Sequence, residues 1–362
     1  MRGGDRMPVV LITGGAGFIG TNLAVHLLER GERVRIFDSY ARAGSEHNAQ
    51  WLRERYSRNL EIVQGDVRDR KAVCAAMVDV GHIYHFAAQV AVTSSLVDPQ
   101  LDFDVNARGT LNVLESAREC ASPPSLIFSS TNKVYGILPD VEVHAEGRRY
   151  VPADPELRAQ GVSEQRRLDF HSPYGCSKGA AEQYVLDYSR SFGLRTAVFR
   201  MSCIYGPHQH GNEDQGWVAH FMRRAIEGDA VTIYGDGLQV RDTLFIDDLV
   251  SAFEAARRHI DRLQGGAFNI GGGVANTLSL LELSDRLEGM LDEPLTMSFG
   301  EWRTGDQRYY VSNIARFSAA TGWRPQVNVA TGLAALHRWL EQSRFEANSS
   351  TGRTDRRLTA GA

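Results

Sequence analysis

An open parallel β-sheet wound on both faces by helices, the doubly wound α/β class, is what this sequence predicts, with a smaller α/β unit beside it. Three observations predict it. From Val9 onward short apolar runs alternate with longer amphipathic segments, and a glycine-rich turn joins the first run to the first helix. Beyond Arg200 the texture shifts to Gly and Pro punctuation (IYGPHQHG, YGDG, NIGGG) with shorter elements. At 362 residues, 43% of them hydrophobic, the chain exceeds one ordinary core, so a large domain and a partner are expected.

In chain order the candidate strands are VVLIT (9–13), VRIFD (34–38), LEIVQ (60–64), HIYHF (82–86), SLIFS (125–129) and TAVFR (196–200). Each is a short apolar or β-branched run of strand length. Between them, residues 18–30, 104–119 and 174–192 carry the longer pattern of helices. Six strands in this rhythm suggest a Rossmann-type sheet. A helix at 247–262 and a strand at 267–270 return to it. The larger domain is therefore expected from residues 1–204 with 241–274, and the discontinuous smaller one from 205–240 with 275–345. Residues 346–362, small, polar and aperiodic, read as a disordered tail.

Composition removes several function classes. The balance of 40 basic against 44 acidic residues, net −4, offers no bulk attraction to nucleic acid or an anionic membrane. The leading MRGGDR is polar and no run of about 18 to 20 apolar residues follows, so neither a targeting segment nor a membrane span is expected. The four cysteines are scattered without metal-ligand spacing, which predicts no metal and free thiols in the cytoplasm. A small-molecule enzyme fits these limits.

TGGAGFIG places Gly14, Gly17 and Gly20 at GxxGxxG spacing between the first strand and the first helix. Glycines there permit a tight turn and close backbone approach, and the helix N-terminus faces a pyrophosphate. Asp38 ends the second strand, where a carboxylate accepts hydrogen bonds from ribose hydroxyls and repels a 2′-phosphate, so NAD is expected over NADP. Arg42 stands near enough to complicate that choice. Asp66 and Val67 after the third strand, and Ala87, Ala88 and Gln89 after the fourth, fall at successive carboxyl ends of the sheet. That placement makes them candidates for holding the adenine and the body of the cofactor.

A second constellation suits the oxidation of a carbinol. Tyr174 and Lys178 are four apart on a helix announced by Pro173, and so share a face. A phenol of pKa ~10 is a poor base at neutral pH, but a neighbouring ammonium and a cationic nicotinamide both favour the phenolate. Thr131, closing the strand at 125–129, can donate to the substrate oxygen as it becomes a carbonyl.

These segments, with NxxGTxN (106–112), SSTNKVYG (129–136) and YGCSK (174–178), resemble the extended short-chain dehydrogenase/reductase family of nucleotide-sugar epimerases and dehydratases over about residues 8–340. The resemblance implies Thr131, Tyr174 and Lys178 as catalytic residues. It adds Phe18, Ile19, Asn106 and Ser129 to the cofactor set, and implies a four-helix homodimer, with a tetramer open. In that family 4,6-dehydratases usually carry Asp-Glu after the threonine, and glucuronate decarboxylases typically a Glu at the second place. Here Asn132 and Lys133 stand instead, which argues against both reactions. The variant TNKVYG, with FRMSCIYGPHQHG and GDQRYYVS, resembles the CDP-paratose 2-epimerase branch, in which bound NAD takes a hydride from carbon 2 and returns it to the opposite face. A 4-epimerase on a UDP-, dTDP- or GDP-linked sugar is the nearest alternative, and a dehydratase or a non-catalytic NAD-binding protein stands behind it.

The substrate expected is a nucleoside-diphosphate sugar. Asn132 and Lys133 are implied around its sugar, and Cys203, where ordinary 4-epimerases have asparagine, is expected to line the pocket. Diphosphate recognition calls for arginines, for which Arg241 and Arg308 are the candidates. His208 and His210 can line the same pocket or stand in solvent. The charged connection between Gly136 and Ser172 is too long for an ordinary loop, so it is a lid or carries local structure, and a lid over the sugar nucleotide is the expectation.

Overall fold

The computed structural model describes residues 7–358, with side chains described to residue 344; the leading hexapeptide and residues 359–362 of the expected tail lie outside the described residues. Seven parallel strands form the main sheet: β1 Val9–Thr13, β2 Arg33–Asp38, β3 Leu60–Gln64, β4 Val80–His85, β5 Ser125–Thr131, β6 Thr196–Met201 and β7 Gly266–Ile270. Their order is β7-β6-β5-β4-β1-β2-β3. The order reverses between β1 and β4, and such a reversal opens a crevice at the carboxyl ends of the strands.

Alternation along β1 explains why helices cover both faces. Val10 and Ile12 pack with Leu23 and Leu27 of the helix Phe18–Glu29 and with Leu249 and Phe253 of the helix Ile246–Arg258. Val9 and Leu11 point the other way, into Val113 and Leu114 of the helix Gly109–Arg118 and Ala181 and Val185 of the helix Ser172–Phe192. A strand buried on both sides must be apolar at every position, and VVLIT is nearly so.

A second sheet is built on Val240–Phe245, which pairs antiparallel with Thr277–Ser279 and parallel with Tyr309–Tyr310 and Cys203–Tyr205. The boundary expected at residue 241 falls inside this strand; the chain returns to the main sheet only with the helix that follows. The connection after Gly136 forms a hairpin, Val143–Glu146 with Arg149–Pro152, and a helix, Pro155–Gln160. It is bolted down: Arg149 pairs with Glu282 and donates to Thr277, the Tyr150 amide donates to Leu238, and Val162 exchanges backbone bonds with Val311 and Asn313. A lid was expected; the segment instead carries local structure fastened to the second sheet. The C-terminal helix Val329–Leu358 runs on through most of the stretch that composition assigns to a tail.

Among the described residues no helix is long and apolar enough to cross a membrane, and no group of His, Cys, Asp and Glu could hold a metal ion. One ion pair ties the two faces of β5 and β6 to the helix above them. Glu182, fully buried, takes both Nε and Nη2 of Arg200 and the hydroxyl of Ser130, while Arg200 Nη1 donates to Tyr135 at 2.9 Å. Arg200→Met would strand the carboxylate in the core, so we expect a fall in unfolding free energy of about 3 to 5 kcal/mol in urea titrations. A loss under about 1 kcal/mol would show that the pair is dispensable.

Candidate active site

The crevice begins at the glycine turn. Gly14 holds φ +68°, and a Cβ there would stand 2.6 Å from the Ala87 amide nitrogen. A Cβ on Gly20 would meet the Gly15 Cα at 2.5 Å, so the helix can sit this close only without side chains. Gly17 caps the helix Phe18–Glu29 with no side-chain bond and no acid in its first turn. The first-turn amides, Phe18 and Ile19 among them, are thus left for an anion.

Asp38 is buried at the end of β2, and its carboxylate accepts from the Ala16 amide at 3.0 Å and the Tyr40 amide at 2.9 Å. Burial pushes its carboxyl up, while those amides pull the other way. After β3, Asp66 is chelated by Arg68, which holds its carboxyl below the usual range, and buried Val67 fills the space above Gly109. The Val67 carbonyl accepts from Asn112.

A chain of hydrogen bonds fixes the segment after β4. Asn106 sits in a π-turn, Asp104–Arg108, with its Oδ1 accepting from the Gln89 amide at 2.9 Å and its Nδ2 donating to the Gln89 carbonyl at 3.1 Å. The Thr110 hydroxyl donates to the Asn106 carbonyl, so at 3.0 Å it must accept from His85 Nε2. His85 Nδ1 then accepts from Thr13, whose oxygen lies 3.4 Å from the Ala87 amide. Burial and Lys178 hold His85 down at about 3, so this ladder stays neutral. Ala88 follows Ala87 along the same floor, and the Ser129 hydroxyl donates to the His85 carbonyl at 3.1 Å.

Tyr174, Lys178 and Thr131 come together above it. The Tyr174 amide donates to Ser95 Oγ at 3.2 Å, anchoring the first turn of its helix. Burial pushes the phenol up to about 12; the Thr131 hydroxyl beside it lowers it, Asp102 raises it and Arg42 lowers it. Lys178 is almost wholly buried, its Nζ 4.2 Å from the centre of the Phe128 ring. Burial brings its ammonium down to about 7 against the pull of Asp102 and Glu182. Thr131 ends β5 and accepts the Lys133 amide at 3.2 Å, which turns buried Asn132 and Lys133 into the 3₁₀ turn Asn132–Tyr135.

Further out, Lys133 Nζ donates to the Gly305 carbonyl at 3.2 Å and lies 3.7 Å from Asp306 Oδ1. Arg241 Nη2 donates to the same carboxylate oxygen at 2.6 Å. Burial lowers the Lys133 amine, with Asp306 acting against it; burial also pushes Asp306 up, but Arg241 and Lys133 outweigh that and hold it below its ordinary value. Cys203 Sγ accepts from the Trp217 indole at 3.3 Å, and burial raises its thiol, which rules out a ready nucleophile. Arg308 is apart from this cluster, 5.8 Å from the ring centres of Tyr150 and Trp302. His208 is half-buried and His210 exposed, and both rings lie on the back of the glycine turn near Trp339.

Sequence reasoning missed Asp306, Asp102 and Ser95. Asp306 lies within GDQRYY, yet nothing local marks it as the counter-ion of Lys133, 173 positions earlier in the chain.

A doubly wound sheet with a glycine turn, a buried carboxylate at the end of β2 and a Thr-Tyr-Lys cluster at the switch point is the architecture of a nicotinamide-dependent enzyme. The chain belongs to the NAD dependent epimerase/dehydratase family, which matches residues 10–271. It is 42% identical to CDP-paratose 2-epimerase of Salmonella typhi, over 91% of this chain and 98% of that protein. UDP-glucose 4-epimerase of Thermus thermophilus in complex with NAD superposes with a TM-score of 0.77 at 31% identity, over 92% of this chain and 99% of that one. UDP-glucuronic acid 4-epimerase from Bacillus cereus, in complex with UDP-glucuronic acid and NAD, gives 0.79 at 26% identity, again over 92% and 99%. The glycine cradle, which any Cβ would fill, and the open first-turn amides fit NAD.

Burial of Lys178 has a measurable consequence. Unfolded, its amine ionises near its ordinary value of 10.5; folded and without cofactor it does so near 7. Between those limits the folded state binds fewer protons, so stability gained from this group rises with pH. Lys178→Met should melt at a higher temperature than the parent in NAD-stripped protein at pH 7, and the gap should close as the pH approaches 10. A gap that is constant with pH would contradict the assignment.

Proposed function

We propose that this chain is an epimerase of a nucleotide-linked sugar, inverting carbon 2 of a CDP-linked deoxyhexose of the paratose type. The observation that carries it is the meeting of Thr131, Tyr174 and Lys178 beside a turn where Asn132 and Lys133 replace an acid and a base. Supporting the choice of carbon and base is the 42% identity to CDP-paratose 2-epimerase.

NAD, when bound, supplies the capacity to accept a hydride from a carbinol carbon and to give it back. Tyr174 takes the hydroxyl proton and later restores it. The nearby Lys178 ammonium favours the phenolate electrostatically and can hold the nicotinamide ribose. Thr131 donates to the oxygen while it is a carbonyl. Epimerisation then requires that the ketone present its other face before hydride returns to carbon and Tyr174 returns the proton to oxygen. Elimination would require further acid and base groups, and the amine of Lys133 is engaged with Gly305 and Asp306. Arg241, with Lys133 behind it, supplies positive charge for the diphosphate, while Asp306 holds both cations in place before substrate arrives. Gly14, Gly17, Phe18, Ile19 and Gly20 would hold the pyrophosphate, Asp38 the adenosine ribose, and Asp66 with Val67 the adenine.

We also read the chain as a cytoplasmic homodimer. Its four cysteines are free. Apolar side chains stand exposed on two neighbouring helical segments: Val97 at 87%, Phe103 and Phe192 at about half, with Leu96 and Tyr184 beside them. Phe103→Glu should shift the particle mass measured by light scattering from two chains to one; an unchanged mass would place the interface elsewhere.

For the reaction, CDP-paratose carrying deuterium at carbon 2 should be converted to its 2-epimer with the label retained, as NMR would show. Inversion only at carbon 4 of a UDP-, dTDP- or GDP-linked sugar would replace this reading with the 4-epimerase one. Tyr174→Phe should lower kcat by about a thousandfold while NAD remains bound; undiminished turnover would remove Tyr174 as the base.

A further inference from the structure

The loop at residues 206–211, GPHQHG, takes no part in the chemistry above, yet it is gripped from the cofactor side. It leaves the strand Cys203–Tyr205 of the second sheet and leads toward the helix Trp217–Glu227. On its way it crosses behind the glycine turn. Asn22, on the helix that starts at that turn, donates to the Pro207 carbonyl at 2.9 Å. Asn48, almost wholly buried on the helix Ser45–Arg55, donates through Nδ2 to the Ala16 carbonyl at 3.1 Å and to the His208 carbonyl at 3.4 Å. With its amide nitrogen so committed, Asn48 Oδ1 faces His210 Nε2 at 3.3 Å and accepts its proton.

Ala16 is thus held at both ends, by Asp38 at its amide and by Asn48 at its carbonyl. A trans peptide is planar, so fixing the Ala16 carbonyl also fixes the Gly17 amide and the entry to the helix that receives the pyrophosphate. The loop pays for this seat in backbone conformation: His208 holds φ +64°, a region disfavoured for a side chain. Its ring lies tilted against Trp51, 4.4 Å between ring centres, and a Cβ on Gly44 would lie 2.4 Å from the His210 ring. These are the contacts of a close-fitted joint between the cofactor and substrate sides.

We propose that Asn48 and His210 are positioning residues for NAD, through which the loop at 206–211 sets the Ala16–Gly17 peptide in the orientation that binds the cofactor. Neither touches the reacting atoms. The joint is also sensitive to acid. The charged or titratable groups facing the two rings are His47 and Arg55 of the helix Ser45–Arg55, Arg42 just before it, and Arg223 of the helix Trp217–Glu227; the C-terminal helix presents Trp339. All four are positive or become so. Burial, then His210, His47 and Arg55, lower His208 to about 4, and partial burial, then His47, Arg42 and Arg223, lower the more exposed His210. A seated loop therefore binds fewer protons than a released one, and acidification from pH 7 toward 5 favours release.

The test is the NAD dissociation constant of the stripped full-length enzyme, measured by calorimetry, with kcat at saturating NAD. Asn48→Ala and His210→Ala should each weaken NAD binding about tenfold, with kcat at saturation nearly unchanged. His210→Gln keeps an N–H donor toward Asn48 without an ionisable ring, so it should restore binding at pH 7 and lessen the loss of affinity seen in the parent between pH 7 and 5, His208 carrying the remainder. Unchanged NAD affinity in folded His210→Ala would overturn the proposal, as would His210→Gln binding as weakly as His210→Ala. If Asn48→Ala does not fold, the His210 pair decides alone. Because the readout is NAD binding, its failure is separate from any failure to find the sugar substrate.

Discussion

Lys178 carries an ammonium into a core whose nearest surface is the Phe128 ring, and the elements around it are arranged to bear that cost. Asp102 and Glu182 approach from opposite sides. Each must itself be satisfied, Asp102 by Ser177 and Asn106, Glu182 by Arg200 and Ser130. The demand then propagates, because a buried polar group without partners is expensive. Arg200 turns to Tyr135, and Tyr135 to Asn269 on β7; Asn106 reaches Gln89 at the end of β4. A single buried charge thereby joins β4, β5, β6, β7 and the catalytic helix in one polar frame.

That frame leaves little freedom in the redox half of the site, while the substrate half is organised differently. Lys133, Asp306 and Arg241 come from three distant stretches and form a cluster at the central strand of the second sheet, with Arg241 buried and the other two partly exposed. One carboxylate between two cations leaves a net positive site that stays ordered without a ligand. Specificity can thus change in the second unit while the hydride-transfer geometry stays as it is. The connection after Gly136 belongs to that outer layer as well: its hairpin is fastened through Arg149 and Val162 to the second sheet, where an unstructured lid would have had no such partners.

Motifs made of neighbours in the chain were legible before any fold was known. TGGAGFIG, Asp38 and the Tyr174–Lys178 pair each declare themselves within a turn or two, because φ freedom, strand ends and helical spacing are local properties. All six strands read from the sequence stand in the main sheet, and β7 joins them where a return strand was expected. The domain boundary was less legible: VRDTLF at Val240–Phe245 mixes apolar with charged residues, and only its pairing assigns it to the second sheet. The C-terminal stretch looked featureless because composition reports hydrophobicity and not backbone continuity with a preceding helix.

By itself the sequence determined the class of sheet and the glycine turn, and it picked out Asp38, Thr131, Tyr174 and Lys178 as the residues on which the proposed chemistry rests. Replacement of the dehydratase acids by Asn132 and Lys133 was likewise visible in a two-residue window. Tertiary structure alone decided what those residues face: Lys133 against Asp306, Arg241 against the same oxygen, Asn48 between Ala16 and His210. The reason is physical. Local conformation is written in adjacent residues, whereas the pairing of buried charges and amides depends on which distant segments the packed core brings within hydrogen-bond reach.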